Sequence, residues 1–313
     1  MIFQSFSQTV HAPSNRFNRR LFLSVLTALI SFESKAQNTL SAASNVGQNL
    51  LRTKVEGLEL IKASSIRETK RGSVLLIPGA YHGAWAFEQN FLPFFAQEGF
   101  DVYAMSLRGH GVSDGKAQVM EASFDDYVRD VETILKHIGG KPIVIGHSLG
   151  GLLVRRVIER QAVQAAVLLA TPTPRSMREG ALKLMLNFPL AVLKFVLSGD
   201  PDVIYRDEAV VRKLLFNGAN DSVTNHALSM LLKESESKRI INDVQKLQFQ
   251  RVDVPLFAIG GEADMGVPVD AIREAASDYQ GRMKLVSQGA HEFFLMPSWE
   301  DSARCIAQWL DSL

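Results

Sequence analysis

The sequence predicts an α/β fold: a mainly parallel sheet flanked by helices on both faces, with an inserted helical cap. Three observations predict it. Residues 73–77, 165–170 and 255–260 are short, continuous apolar runs without polar alternation, the mark of strands buried on both faces. Segments of helical periodicity separate these runs, as crossover helices between parallel strands would. Residues 175–248 then hold no strand-like run, only helical periodicity broken at Pro189, Gly199-Asp200-Pro201 and Gly218.

A chain of 313 residues has room for one large domain or for a core domain with a sizeable insertion. With 46% hydrophobic and 21% charged residues, it has the make-up of a globular protein with a substantial core. A net charge of +1 and the lack of a basic stripe give no reason to expect a nucleic-acid partner. Cys305 is the only cysteine, so no intramolecular disulfide can form. Its place in an apolar-periodic helix makes it a small hydrophobe rather than a nucleophile.

Residues 1–36 read as an export signal peptide. Basic residues precede the apolar run 21–32, which is too short to span a bilayer comfortably, and the small residues Ser34 and Ala36 suit a signal peptidase. Asn18-Arg19-Arg20-Leu21-Phe22-Leu23 resembles a twin-arginine signal. A Sec signal and an uncleaved anchor are the alternatives. Cleavage is expected after Ala36, leaving a loose lead-in over 37–52 and a mature chain without a stable membrane span. That chain would be exported, periplasmic or secreted.

The core is expected over 53–174 and 249–313. It begins with an edge strand over 55–61 and the buried strand 73–77, then a turn-rich loop from Pro78 to Trp85. A helix with aromatic anchors runs to Glu98 and ends at Gly99. The strand 100–105 leads into a long loop at Arg108-Gly109-His110-Gly111. Ser123, with Asp126 three residues on, caps a helix to Ile138. After the cap, the strand 255–260 is followed by a helix opening at Pro268, the strand 283–286 and a helix from Trp299 to Leu310. Within the cap, residues 181–197 are unusually apolar. Either they pack onto the core and each other, or they form a lid whose inner face lines an acyl pocket.

The chemistry centres on residues 141–154, where a β-branched run meets Gly146-His147-Ser148-Leu149-Gly150-Gly151 and then an apolar helix. Glycines on either side let a serine sit exposed on a strained strand-to-helix turn, with the Leu149 N–H facing the group it attacks. The helix start favours developing negative charge. Serine needs a base, and the base needs an orienting group. Among the histidines, His291 follows the last strand and so shares the rim with Ser148. His147 adjoins the serine on a tight turn and should point away. Asp253 precedes its strand and Asp270 lies inside a helix, whereas Asp264 directly follows a strand end and is the expected acid.

Together with Arg108-Gly109-His110-Gly111-Val112-Ser113, Gly261-Glu262-Ala263-Asp264 and Gly289-Ala290-His291, this elbow resembles the α/β-hydrolase superfamily, from Ser73 to the C-terminus. Pro78-Gly79-Ala80-Tyr81-His82-Gly83-Ala84-Trp85 resembles the plant methylesterase and hydroxynitrile lyase branch, with Pro78 where that branch starts with histidine. The resemblance implies that Ala80 supplies a second oxyanion N–H beside that of Leu149.

The expected activity is hydrolysis of carboxylic esters through an acyl-enzyme, with Ser148 as nucleophile, His291 as base and acid, and Asp264 as orienting acid. Tyr81, Trp85, Leu186 and Phe188 are the candidate pocket residues for a small-molecule ester with an apolar acyl part. No cofactor and no metal is implied. A lyase or cofactor-free perhydrolase on the same triad, and a ligand-binding protein on a hydrolase scaffold, are the rival readings.

Overall fold

In the run Ser73–Ile77, Val74 and Leu76 bury themselves on one side of the sheet and Leu75 and Ile77 on the other. Such a strand needs a layer of helices on each face. The computed structural model describes residues 50–313. Its strands are β1 (Leu51–Val55), β2 (Leu58–Ala63), β3 (Ser73–Ile77), β4 (Asp101–Met105), β5 (Ile143–His147), β6 (Ala165–Leu169), β7 (Leu256–Gly261) and β8 (Arg282–Val286). They form one sheet in the order β1-β2-β4-β3-β5-β6-β7-β8. β2 runs antiparallel to β1 and β4, and every later neighbouring pair is parallel.

One face packs against α1 (Trp85–Glu88), α2 (Phe91–Gln97) and the C-terminal α12 (Trp299–Asp311), through Phe87, Phe91, Phe95 and Ile306. The other packs against α3 (Phe124–Ile138), α4 (Leu149–Val157) and α11 (Val269–Asp278), through Val131, Leu153 and Ile272. Ser123 caps α3 in a reciprocal capping box with Asp126, as its sequence spacing predicts.

Two expectations about the first half are corrected. The single edge strand over 55–61 is a hairpin: the chain turns at Glu56 (φ 49°) and Gly57 (φ 83°), a two-residue loop with both residues left-handed. Leu51 and Arg52 therefore belong to β1, not to a lead-in reaching 52. Residues 51–54 are exposed on this edge strand, so no apolar alternation marks it. The single helix over 85–98 is broken into α1 and α2 around Asn90, which places Pro93 in the first turn of α2, where its missing N–H is tolerated. The expected signal peptide at 1–36, and the lead-in before residue 50, lie outside the described residues.

The insertion consists of α5 (Pro174–Asn187), α6 (Pro189–Ser198), α7 (Asp202–Tyr205), α8 (Glu208–Phe216), α9 (Ser222–Leu231) and α10 (Ile240–Gln245). Thr173 caps α5 through Ser176, with Pro174 in the first turn. Pro189 restarts the helix, and α5 and α6 are bent by 116°. Leu184, Phe188 and Phe195 pack on Ala191, Ile204 and Val210 in a small cluster of their own. The rest of the apolar run behaves otherwise: Leu182, Met185, Leu186, Leu190, Leu193, Val196 and Leu197 are 48% to 79% exposed. For those seven residues neither packing onto the core nor lining a pocket holds, because they lie on the outer sides of α5 and α6.

Buried polar bonds fasten the cap to the core. The Tyr81 ring stacks on Tyr205 at 3.8 Å, and its hydroxyl donates to Asp202 at 3.0 Å. Asp202 also accepts from the Glu236 N–H at 3.2 Å, and the Tyr127 hydroxyl donates to Glu236 at 2.6 Å.

Candidate active site

β5 ends at His147 and α4 begins at Leu149, so Ser148 alone makes the turn, at φ 49° and ψ −114°. That conformation is strained for any residue with a Cβ and persists only where the surroundings enforce it. Here they do. A Cβ at Gly150 would overlap the carbonyl oxygens of Ile77 and Pro78, and one at Gly146 the carbonyl of Gly150. The Ser148 N–H donates to the Leu169 carbonyl at 2.8 Å, tying the turn to β6. Ser148 itself remains half-buried, within reach of solvent.

Asp264 and His291 come from the loops after β7 and β8 and meet below the surface, His291 Nδ1 lying 2.8 Å from Asp264 Oδ2. The other carboxylate oxygen accepts the N–H groups of Gly266 and Val267 at 2.7 and 2.8 Å. With its Nδ1 proton donated to the carboxylate, His291 keeps Nε2 as the free ring nitrogen. Burial works to lower the His291 pKa, but the Asp264 carboxylate outweighs it and raises the imidazole above its ordinary value, with a smaller push from Glu292. Asp270 is exposed and paired with Arg273, away from this site.

The loop after β3 lies against the elbow: a Cβ at Gly79 would stand 3.1 Å from that of Ser148. Ala80 follows it, half-buried. No backbone carbonyl among the described residues accepts from the Ala80 or Leu149 N–H, so both donors are available. The Arg108 loop supports this rim from beside it. Ser106 Oγ accepts from the Ala84 N–H at 2.8 Å and donates to Glu59 at 2.5 Å, while Arg108 is spent on Asp130 and Asp126 of α3.

Glu292, which sequence reasoning passed over, joins these pieces. Its carboxylate is fully buried, 3.3 Å from His82 Nε2 and 3.7 Å from His147 Nε2. One residue comes from the loop after β3, one precedes Ser148 and one follows His291. The His147 ring lies 4.9 Å from that of His291. Burial works to raise the Glu292 carboxyl, yet His147 and His82 hold it below the usual carboxylate range. His82 Nδ1 donates to the Ala80 carbonyl at 2.7 Å, which leaves Nε2 facing Glu292. The ligand atoms of His82, His147 and Glu292 lie within 4.8 Å of one another, a spacing that could hold a cation. The only sequence signal was position: Glu292 adjoins His291 in a loop at a strand end.

The candidate pocket residues divide. Trp85 is half-buried and stacks on His82 at 5.3 Å. Tyr81 is buried but turned into the cap seam, its hydroxyl on Asp202. Phe188 lines a cavity of about 230 Å³ together with Leu184, Leu214, Ala263, Asp264 and Met265, on the cap side of the acid. Leu186 is corrected: it is 71% exposed on the outer side of α5 and lines no part of the site.

A family model described as serine aminopeptidase, S33, matches residues 68–297. Bifunctional epoxide hydrolase 2 of Sus scrofa is 28% identical over 147 residues, 38% of this chain and 26% of that protein. The pyrethroid hydrolase of Sphingobium wenxiniae is 33% identical over 78 residues, 25% of this chain and 27% of that protein. Each match thus spans little more than a quarter of the relative. The monoacylglycerol lipase of Paleococcus ferrophilus superposes with a TM-score of 0.60 at 21% identity, covering 84% of this chain and 99% of that one, which is a likeness of fold. On the fold and the matching family model, this chain belongs to the serine aminopeptidase S33 family of α/β-hydrolases.

Proposed function

We propose that the protein is an exported serine hydrolase that cleaves carboxylic esters through an acyl-enzyme. The observation that carries this reading is the buried His291–Asp264 pair at 2.8 Å on the same sheet rim as the strained Ser148. Ser148 Oγ attacks the acyl carbon while its proton passes to His291 Nε2. The oxyanion formed is held by the Ala80 and Leu149 N–H groups, at the start of α4, where the helix field favours negative charge. The C–O bond then breaks, and His291 returns the proton to the departing alcohol. Water, deprotonated by His291, attacks the acyl-enzyme, and the acid leaves as Ser148 regains its proton. Asp264 fixes the tautomer and stabilises the imidazolium. The elbow of this chain holds serine, which argues against the aspartate-nucleophile chemistry of epoxide hydrolases despite the likeness to one. Amide hydrolysis would follow the same steps with an amine leaving, so amino-acid anilides belong in the substrate panel.

The test is a transient acyl mass on Ser148 during turnover of chromogenic esters of graded chain length, decaying as free acid appears. Ser148→Ala should lose nearly all turnover with the fold intact. If fluorophosphonate labels Ser148 but no acyl adduct or acid forms across the panel, the lyase or ligand-binding reading replaces this one. Export is tested separately: replacing Arg19 and Arg20 with lysines should leave an unprocessed precursor in the cytoplasm. Normal processing of that variant would point to a Sec signal instead.

A further inference from the structure

A surface helix ordinarily turns its apolar stripe inward and its polar face to water. α6 is apolar on both sides. Ala191 and Phe195 face the small cap cluster, while Leu190, Leu193 and Leu197, at i, i+3 and i+7, stand on the opposite side, 73%, 53% and 79% exposed. Val196 beside them, and Leu182, Met185 and Leu186 on α5, extend the bare apolar area around the bend between the two helices. An exposed apolar area spread over two helices marks a surface that something covers.

The charges say what covers it. From Gly180 to Ser198 the only ionisable side chains are Lys183, which lines the cavity on the inner side with Leu184 and Phe188, and Lys194, exposed beside the bare leucines of α6, and there is no carboxylate. A twofold contact with a second copy would bring lysines together with no acidic partner in the patch. A lipid surface with anionic headgroups satisfies both parts, since the leucines enter the acyl boundary while Lys194 reaches back to the phosphates. No single described helix is long and apolar enough to cross a membrane, and α5 and α6 reach that length and apolarity only as a pair bent by 116°, a shape that suits an interfacial contact.

We propose that the outer face of α5 and α6 is a membrane-docking surface that seats the cap on anionic lipid. The inference stands on the surface alone and is independent of the chemistry at Ser148. On the other side of these helices, Leu184 and Phe188 share a cavity with Asp264, so docking would place the candidate site close to the bilayer.

The experiment is flotation of the full chain with vesicles of phosphatidylcholine containing phosphatidylglycerol, compared with phosphatidylcholine alone. The expected result is binding that strengthens with anionic lipid and weakens with salt. The triple variant Leu190→Ser, Leu193→Ser, Leu197→Ser should lower the partition coefficient by about tenfold or more. Its melting temperature should be unchanged, because all three side chains are exposed. Binding equally strong in the triple variant would assign flotation to another segment, such as residues 21–32, and overturn the proposal. So would no binding to either vesicle, or a concentration-dependent dimer that the triple variant abolishes.

Discussion

At the scale of single residues, His291 is set between two carboxylates with different tasks. Asp264 is bonded to it directly, and its remaining oxygen is saturated by two backbone N–H groups. In the proposed mechanism His291 is a base only when neutral, so a raised pKa would put the acidic limb of kcat/KM on the alkaline side of an ordinary imidazole. Asp264→Asn removes the largest upward push, so the limb should move to lower pH while the rate falls by about 10³- to 10⁴-fold. Asp270→Asn should change neither; the opposite pattern in the two pH–rate profiles would mean that the acid is wrongly assigned. Glu292 pushes His291 upward as well, but from a place where it also faces His82 and His147. Glu292→Gln should shift the limb the same way, with a smaller loss of rate. It should also lower stability by about 1–3 kcal/mol, since buried polar groups lose their charged partner. An unchanged profile together with an unchanged melting temperature would leave Glu292 no positioning role.

At the scale of elements, the elbow is a three-way crossing of β5, α4 and the loop after β3. Gly150 lets α4 pass against the carbonyls of Ile77 and Pro78. Gly150→Ala therefore has to push two backbones apart, not displace a flexible side chain. Overpacking of this kind costs about 1–3 kcal/mol, and the Ala80 and Leu149 N–H groups would separate with it. The expected outcome is a lower melting temperature together with weakened fluorophosphonate labelling of Ser148. Full labelling at wild-type stability would show that the crossing is looser than its geometry implies. The cap seam is a second joint. Tyr81→Phe removes one buried hydrogen bond, worth about 1 kcal/mol in thermal unfolding, while leaving the stack on Tyr205 and the other partners of Asp202 in place.

For the whole molecule, apolar side chains fall into two populations that composition does not separate. Leu76 in β3 is fully buried, and Leu76→Ala should cost about 2–5 kcal/mol. Leu182 on α5 is 53% exposed, and Leu182→Ala should stay within about 0.5 kcal/mol. Denaturant unfolding of the pair checks this, and a large loss for Leu182 would mean that the outer face of the cap is covered in the protein as it unfolds.

By itself the sequence determined the α/β class and the buried strands, and it put the candidate residues Ser148, Asp264 and His291 at strand ends. A strand buried on both faces has to be apolar throughout, and a serine elbow has to carry glycines where backbones touch. It also singled out Asp264 over Asp253 and Asp270, since only the residue after a strand end can reach the rim. Tertiary structure alone decided the rest. The exposed edge strand β1 has no burial to impose alternation, so only its pairing with β2 reveals it. In residues 181–197 both sides of the helices are apolar, so periodicity could not say which side faces inward, and Leu186 was placed on the wrong one. Glu292 is one charged residue in a loop, and nothing local marks it. Its meaning comes from His82 and His147, which lie more than a hundred residues away in sequence and meet it only because the sheet brings three strand ends together.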